Sequence, residues 1–147
     1  EKVVLFNASI STMMKAVSTS VFMLTLLVSF ATAQRVPKHL EEAWDAVTKP
    51  FKEECIAKTG VNSVYADRLF LYSEYLDDRA LKCYLACLGK NMGILNASDE
   101  WVKDEFIRQV AGITPAMFES CMDETKFENV CEKSMTMAKC IVRHLSI

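Results

Sequence analysis

The sequence predicts an all-α protein, a compact six-helix domain stapled by disulfides around an apolar cavity. Apolar residues recur every three to four positions through nearly all of the chain after residue 33, which is the spacing of one helix face. No segment alternates between apolar and polar residues over more than four positions, so we expect no sheet. Six cysteines follow a hydrophobic leader, and cysteines in a small secreted chain are typical of a disulfide framework.

The leader has the three parts of a secretory signal peptide. Lys15 supplies a positive charge, an apolar run follows, and Ala31 and Ala33 supply the small residues of a cleavage site. The apolar run is shorter than the roughly 20 residues that a transmembrane helix needs. A membrane anchor or a buried first helix is the alternative interpretation of this segment.

These features predict three parts of the chain. Residues 13–33 are expected to be the signal peptide, with cleavage after Ala33, and residues 34–147 the mature helical domain. Residues 1–12 are an upstream segment to which we assign no part in the fold. The chain is therefore expected to be secreted.

The first mature helix is predicted to be kinked. Its apolar stripe consists of Leu40, Trp44, Val47, Phe51 and Cys55. Pro50 interrupts this stripe and removes one helical hydrogen bond, which should bend the helix. Gly60 follows Lys58-Thr59 and is a natural left-handed stop.

Two further helices precede the middle of the chain. The second is predicted over Val64 to Phe70. Asp77 or Asp78 should cap the third, which Gly93 ends. The apolar stripe of this third helix consists of Leu81, Tyr84, Leu85, Leu88 and Met92.

Three more helices complete the domain. The fourth presents Val102, Phe106 and Val110 on one face. The fifth, Pro115 to Met122, begins at Thr114-Pro115, where a capping hydroxyl precedes a proline at the first helical position. The sixth is predicted from about Phe127 to His144.

The cysteine spacing, C-x27-C-x3-C-x33-C-x9-C-x8-C, indicates disulfides rather than a metal site. It contains no C-x2-C pair, and the two histidines, His39 and His144, lie outside the cysteine-rich stretches. Cys83 and Cys87 are four positions apart on one helix, about 5–6 Å between Cβ atoms, whereas a disulfide needs about 3.5–4.5 Å. They should therefore bond to other elements, and several pairings of the six cysteines remain open. We expect no metal and no cofactor.

Composition and motifs exclude several functional classes. The net charge is −2 and no run of Lys or Arg occurs, so we expect no nucleic-acid partner. No nucleophile elbow, paired metal ligands or His-Asp pair beside a calcium loop is present, so we do not expect an enzyme.

The ordered cysteine spacing resembles that of the insect odorant-binding proteins, the pheromone and general odorant-binding family. Local stretches agree, namely Lys58-Thr59-Gly60 at the end of a kinked helix and Leu81-Lys82-Cys83-Tyr84 ahead of Cys87. The resemblance covers about Val36 to Ile147. It implies a six-helix domain with the disulfides Cys55–Cys87, Cys83–Cys131 and Cys121–Cys140. The gap between Cys87 and Cys121 is somewhat shorter than is usual in the family, which affects the loop around residues 93–98.

The resemblance also implies a function. Members carry small hydrophobic molecules, such as odorants or pheromones, through aqueous lymph to membrane receptors. We expect the same here, with a membrane odorant receptor as a further partner and either a monomer or a homodimer. The mixture of methionine and aromatic residues on the inward stripes suits an adaptable apolar surface. The predicted ligand-binding residues are Tyr84, Leu88, Met92, Val102, Phe106, Val110, Met117, Phe118, Met137 and Ile141, and ordinary core packing is the alternative for each.

Ligand release in such proteins is often tied to pH and to the C-terminal segment. Only a short segment follows Cys140, so the sequence leaves room for a short lid over residues 145–147 rather than a long helix. His144 is the candidate pH switch because histidine titrates in the relevant range. A solvated histidine near a terminus is the alternative.

Two rival functions remain at this stage. One is a secreted, disulfide-rich helical interaction module, including a saposin-like membrane-active protein, although saposins space their cysteines differently. The other is a carrier of the same fold that binds a lipid or hormone outside olfactory tissue. Both olfactory and other carriers use the same apolar interior, so the sequence does not separate them.

Overall fold

Helices make up the regular structure of the described part of this protein. The computed structural model describes residues 35–126 and 129–146. In chain order its helices are α1 (Lys38–Thr48), α2 (Lys52–Thr59), α3 (Ser63–Leu71), α4 (Arg79–Asn91), α5 (Lys103–Gln109), α6 (Pro115–Glu124) and α7 (Val130–Leu145). The 3₁₀ turn Lys49–Phe51 joins α1 to α2 as one kinked helix, so the described residues contain six helical units and the all-α prediction is confirmed. The upstream segment (1–12) and the signal peptide (13–33) lie outside the described residues.

The first helix bends where the sequence predicted. Pro50 lies in the 3₁₀ turn, because its ring supplies no N–H for the helical ladder. Gly60 ends α2 with φ of 68°, a left-handed conformation that glycine adopts without a steric penalty. Its N–H donates to the carbonyl of Ile56 at 2.9 Å.

Polar side chains fix the starts of the later helices. Asp78, rather than Asp77, caps α4 by accepting from the N–H of Leu81 at 2.7 Å. Thr114 caps α6, as expected. The predicted start of the last helix at about Phe127 is wrong, because Asn129 accepts from two backbone N–H groups and α7 therefore begins at Val130.

Disulfides join α4 to two neighbouring helices. Cys55 of α2 is bonded to Cys87, and Cys83 is bonded to Cys131 of α7. A third bond, Cys121–Cys140, joins α6 to α7. This is the pairing that the resemblance implied. It also agrees with the expectation that Cys83 and Cys87 bond to other elements.

Two clusters of buried residues form the core. We call the first the Tyr84 cluster, which consists of Cys55, Val61, Ala66, Leu69, Leu81, Tyr84, Leu88 and Met135. We call the second the Phe106 cluster, which consists of Val36, Leu40, Trp44, Met92, Ile94, Phe106, Ile113, Phe118, Cys121, Met137, Cys140 and Ile141. Helix α4 contributes Leu81, Tyr84 and Leu88 to the Tyr84 cluster, and Met92, directly after α4, belongs to the Phe106 cluster. Within the described residues, no helix is long and apolar enough to cross a membrane.

Candidate ligand-binding cavity

A cavity lies beside the Phe106 cluster. Residues of α1, α3, α4, α5 and α7 line it, together with residues from the loops on either side of α4 and with Val110, directly after α5. The centre of a water molecule has about 90 Å³ in which to move inside it. One water needs about 10–15 Å³ on this measure, so the cavity has room for a ligand of several heavy atoms.

The wall of this cavity is apolar and uncharged. In the part of the chain that the structure describes, no Lys, Arg, His, Asp or Glu lines it. Six of the predicted ligand-binding residues are part of the wall, and these are Leu88, Met92, Phe106, Val110, Met137 and Ile141. Such a surface favours uncharged ligands, because burying an unpaired charge costs far more than burying an apolar group.

Two hydroxyl groups on the wall already donate their hydrogens to the backbone. Thr48 Oγ1 donates to the carbonyl of Trp44 at 2.8 Å. Ser134 Oγ donates to the carbonyl of Val130, also at 2.8 Å. Each hydroxyl therefore keeps only lone pairs for a ligand.

The wall also contains two tryptophans, Trp44 and Trp101, which make different contacts. Trp44 Nε1 donates to the carbonyl of Ala111 at 2.9 Å, which joins α1 to the loop after α5. Trp101 packs edge-on against Phe106, with ring centroids 5.3 Å apart and an interplanar angle of 84°. Such edge-to-face pairs add to the stabilisation from burial alone.

Tyr75 brings a phenol to the wall from the loop after α3. Burial raises the pKa of Tyr75, and the nearby carboxylate of Glu41 raises it further. The phenol therefore stays neutral at physiological pH. Glu41 is itself buried, and its Oε1 accepts from the hydroxyl of Ser73 at 2.9 Å. This contact holds the loop against α1.

Four predicted ligand-binding residues do not line the cavity. Tyr84 is 1% exposed within the Tyr84 cluster, one turn from Leu88 on α4. Phe118 lies behind Phe106, with ring centroids 5.3 Å apart. Val102 precedes the first residue of α5, and Met117 packs against the Phe106 cluster without lining the cavity.

Sequence reasoning also missed part of the wall. The residues that it did not propose are Trp44, Val47, Thr48, Phe70, Tyr75, Leu85, Gly89, Ile94, Trp101, Ser134 and Ala138. Trp44, Val47, Phe70 and Leu85 lie in predicted helices, so the apolar stripes did contain a signal for them. Tyr75 and Trp101 lie between helices, where helical periodicity gives no information.

His144 lies away from this wall. It is exposed in the last turn of α7. Its ring and the sulfurs of Cys121 and Cys140 lie within 4.8 Å of one another. Because the two sulfurs are bonded to each other, they are not thiolate ligands and the three residues do not form a metal site. The pH-switch hypothesis for His144 stays a prediction.

The helices, the three disulfides and the uncharged cavity define an all-helical binding protein. The sequence model described as the PBP/GOBP family matches residues 37–144, a span that contains the whole described cavity wall. The chain therefore belongs to the PBP/GOBP family, which is a family of carriers rather than enzymes. No curated protein and no solved structure matched the chain in the same comparisons.

Proposed function

We propose that this protein is a secreted carrier that holds a small hydrophobic molecule, such as an odorant, a pheromone or a similar semiochemical, in the cavity beside the Phe106 cluster. The observation that carries this proposal is the wall itself. It is uncharged throughout its described residues and large enough for several heavy atoms. Membership of the PBP/GOBP family supports the same function.

Binding would be driven by removal of apolar surface from water. Each Å² of apolar area buried contributes about 25 cal/mol. Ordering of the ligand and of the wall side chains offsets part of this gain, so we expect micromolar dissociation constants. The unbranched side chains of Met92 and Met137 can rearrange around ligands of different shape.

We assign ligand contact to the residues of the wall rather than to the whole predicted set. Leu88, Met92, Phe106, Val110, Met137 and Ile141 remain proposed contacts. Tyr84, Val102, Met117 and Phe118 would support the wall from behind or from its edge.

Secretion and delivery to a membrane receptor are also part of the proposal. Residues 13–33 have the composition of a signal peptide, and three disulfides suit an oxidising compartment. The fluid in which the carrier works would be sensory lymph if the protein is olfactory. The ligand, rather than the fold, would separate an olfactory carrier from one that binds a lipid or hormone.

A fluorescence titration tests the carrier function. The chain is expressed in an oxidising compartment and titrated with the hydrophobic probe N-phenyl-1-naphthylamine, which is then displaced by volatile alcohols, esters and fatty acids. We expect saturable one-to-one binding with a micromolar dissociation constant. Absence of saturable binding by folded, fully oxidised protein would overturn the proposal and favour an interaction module with a closed core.

A further inference from the structure

The indole of Trp101 carries a buried hydrogen-bond donor that is not used within the described chain. Less than 1 Å² of its Nε1 is exposed, and it donates no hydrogen bond to any of the described residues. A buried donor without an acceptor loses its hydration and gains nothing in return. Trp101 lines the cavity, so a bound ligand is the group best placed to supply the missing acceptor.

The backbone around Trp101 is firmly held. Trp101 forms an antiparallel bridge with Leu95, and the N–H of Val102 donates to the carbonyl of Ile94 at 3.0 Å. Lys133 of α7 donates to the carbonyl of Asp99 at 2.7 Å. These contacts keep the indole on the wall while the flexible methionines beside it adapt to a ligand.

The other polar groups of the wall do not provide an equivalent donor. Thr48 and Ser134 have committed their hydroxyl hydrogens to backbone carbonyls, and Trp44 has committed its N–H to Ala111. The phenol of Tyr75 can donate or accept, so it does not discriminate between ligand classes. An indole N–H only donates, and it therefore selects a ligand that has an acceptor.

Charge narrows the ligand class further. No cation of the described chain lines the cavity, and the buried carboxylate of Glu41 is close enough to Tyr75 to raise the pKa of its phenol. A carboxylate ligand would lose its hydration without meeting a counter-charge, which is strongly unfavourable. A neutral carbonyl oxygen suffers no such penalty.

We propose that the indole N–H of Trp101 donates a hydrogen bond to the oxygen of a neutral ligand, so that the cavity selects ketones, aldehydes and esters over hydrocarbons and carboxylates. This inference rests on the proposed carrier function and specifies the class of molecule carried. Trp101 is then the residue that determines specificity, whereas the apolar wall supplies most of the affinity.

The first test compares two isosteric ligands, 2-nonanone and 2-methyl-1-nonene, which differ by an oxygen against a CH₂ group. Trp101→Phe keeps an aromatic ring against Phe106 and removes the N–H together with the five-membered ring that carries it. Affinity for the ketone should fall about three- to tenfold, as loss of one hydrogen bond predicts, while affinity for the alkene should stay within about twofold. Equal changes for the two ligands would overturn the inference.

Trp44→Phe is the matched control. It also removes an indole N–H from the wall, but one already bonded to Ala111. It should lower stability and leave the ratio of ketone to alkene affinity unchanged. A change in that ratio as large as that of Trp101→Phe would show that the preference does not depend on Trp101.

A second test uses the unmutated protein and therefore does not depend on whether a variant folds. The chain has two tryptophans, so a ¹⁵N-labelled sample gives two indole N–H signals. Saturation with 2-nonanone should move the Trp101 signal downfield and slow its hydrogen exchange, whereas 2-methyl-1-nonene should not. The inference fails if both ligands bind and move that signal equally. If neither ligand binds, the proposed carrier function itself fails.

Nonanoate tests the charge argument. At pH 8 it is an anion of similar length, and it should bind at least about tenfold more weakly than 2-nonanone because its charge has no partner on the wall. Nonanoate binding as tightly as the ketone would contradict selection of neutral ligands.

Discussion

The Tyr84 cluster and the Phe106 cluster are both buried and mainly apolar, yet the described cavity is lined chiefly by residues of the Phe106 cluster. Six residues of the Phe106 cluster line that cavity, together with Trp101, which packs against this cluster. Of the buried residues of the Tyr84 cluster, Leu88 alone lies on the described wall. The difference lies in composition and cross-linking. Disulfides from Cys83 and Cys87 hold α4 beside α2 and α7 at the Tyr84 cluster, where medium-sized aliphatic residues fill the space.

The wall at the Phe106 cluster is built from larger and less regular side chains. Trp44, Trp101 and Phe106 meet the unbranched chains of Met92 and Met137 at the wall. Rigid rings of this size leave gaps that flexible methionines fill only partly. One region therefore stabilises the fold, and the other provides the volume for a ligand.

Removal of a disulfide should give the largest contrast between the two regions. Cys55→Ala with Cys87→Ala opens a link between residues 32 positions apart in the sequence, and we expect the free energy of unfolding to fall by about 3–4 kcal/mol. Probe affinity should persist at temperatures where this variant stays folded. Urea unfolding and a probe titration measure the two effects.

The matched control removes the disulfide that belongs to the Phe106 cluster. Cys121 and Cys140 belong to the Phe106 cluster, so their replacement by alanine should lower both stability and probe affinity. The comparison would be contradicted if the Cys55/Cys87 variant, still folded, lost affinity as strongly as this control.

Replacement of an alanine by leucine should lower stability in the Tyr84 cluster and ligand affinity at the cavity wall. Ala66 is 2% exposed in the Tyr84 cluster, so Ala66→Leu overpacks it and should cost about 1–3 kcal/mol of stability. Ala138→Leu projects into the cavity wall and should lower probe affinity at least about tenfold, with a stability change below about 1 kcal/mol. Equal losses of affinity in the two variants would mean that the cavity is not the binding site.

Acid should weaken the fold through its surface ion pairs. A hydrogen bond from Lys82 lowers the pKa of Asp77, whose ordinary value is 3.8, and arginines do the same for Glu74 and Glu105. A carboxyl group with a lowered folded-state pKa stabilises the fold above its unfolded pKa, and that contribution is lost as pH falls through the folded value. Stability should therefore fall below about pH 4.

The variant Asp77→Asn isolates one of these pairs. Its loss of stability between pH 6 and pH 3 should be smaller than that of the parent protein, and the difference should be small because the pair is exposed. Urea midpoints at the two pH values provide the measurement. If both proteins lose the same stability between pH 6 and pH 3, the ion pair of Asp77 does not contribute to the acid sensitivity.

The smallest expected effect concerns His144. Among the described residues of the wall, no group titrates between pH 5 and pH 8, so a change of ligand affinity over that range requires a group outside the wall. We expect His144→Ala to abolish such a change and His39→Ala, at the other exposed histidine, to leave it intact. If the His144 variant keeps the full pH profile of affinity, the switch hypothesis is wrong.

The sequence predicted best what depends on neighbouring residues. Pro50, Gly60 and Thr114 act through the backbone of their own helix, so the bend, the stop and the cap were all recognisable. Asn129 was missed although Glu132 follows three positions later, which is the spacing of a capping box. This signal would have moved the start of α7 to the observed position.

The cavity wall could not be predicted so completely. A helical stripe shows which face is buried but not which of its residues reach a cavity. Tyr84 and Leu88 lie on one stripe and in one cluster, yet only Leu88 lines the cavity. Trp101 is placed by a bridge and by hydrogen bonds between loop residues, which leave no periodic signal. Such positions depend on contacts between segments far apart in the sequence.

The most direct test of the account is the position of a bound ligand, measured by nuclear Overhauser effects between 2-nonanone and the methyl groups of the protein. We predict contacts with Met92, Met137 and Ile141, and none with Leu69 or Leu81 of the Tyr84 cluster. Contacts with Leu69 or Leu81, or only with exposed side chains outside the cavity, would contradict the division of the core into a structural and a binding region.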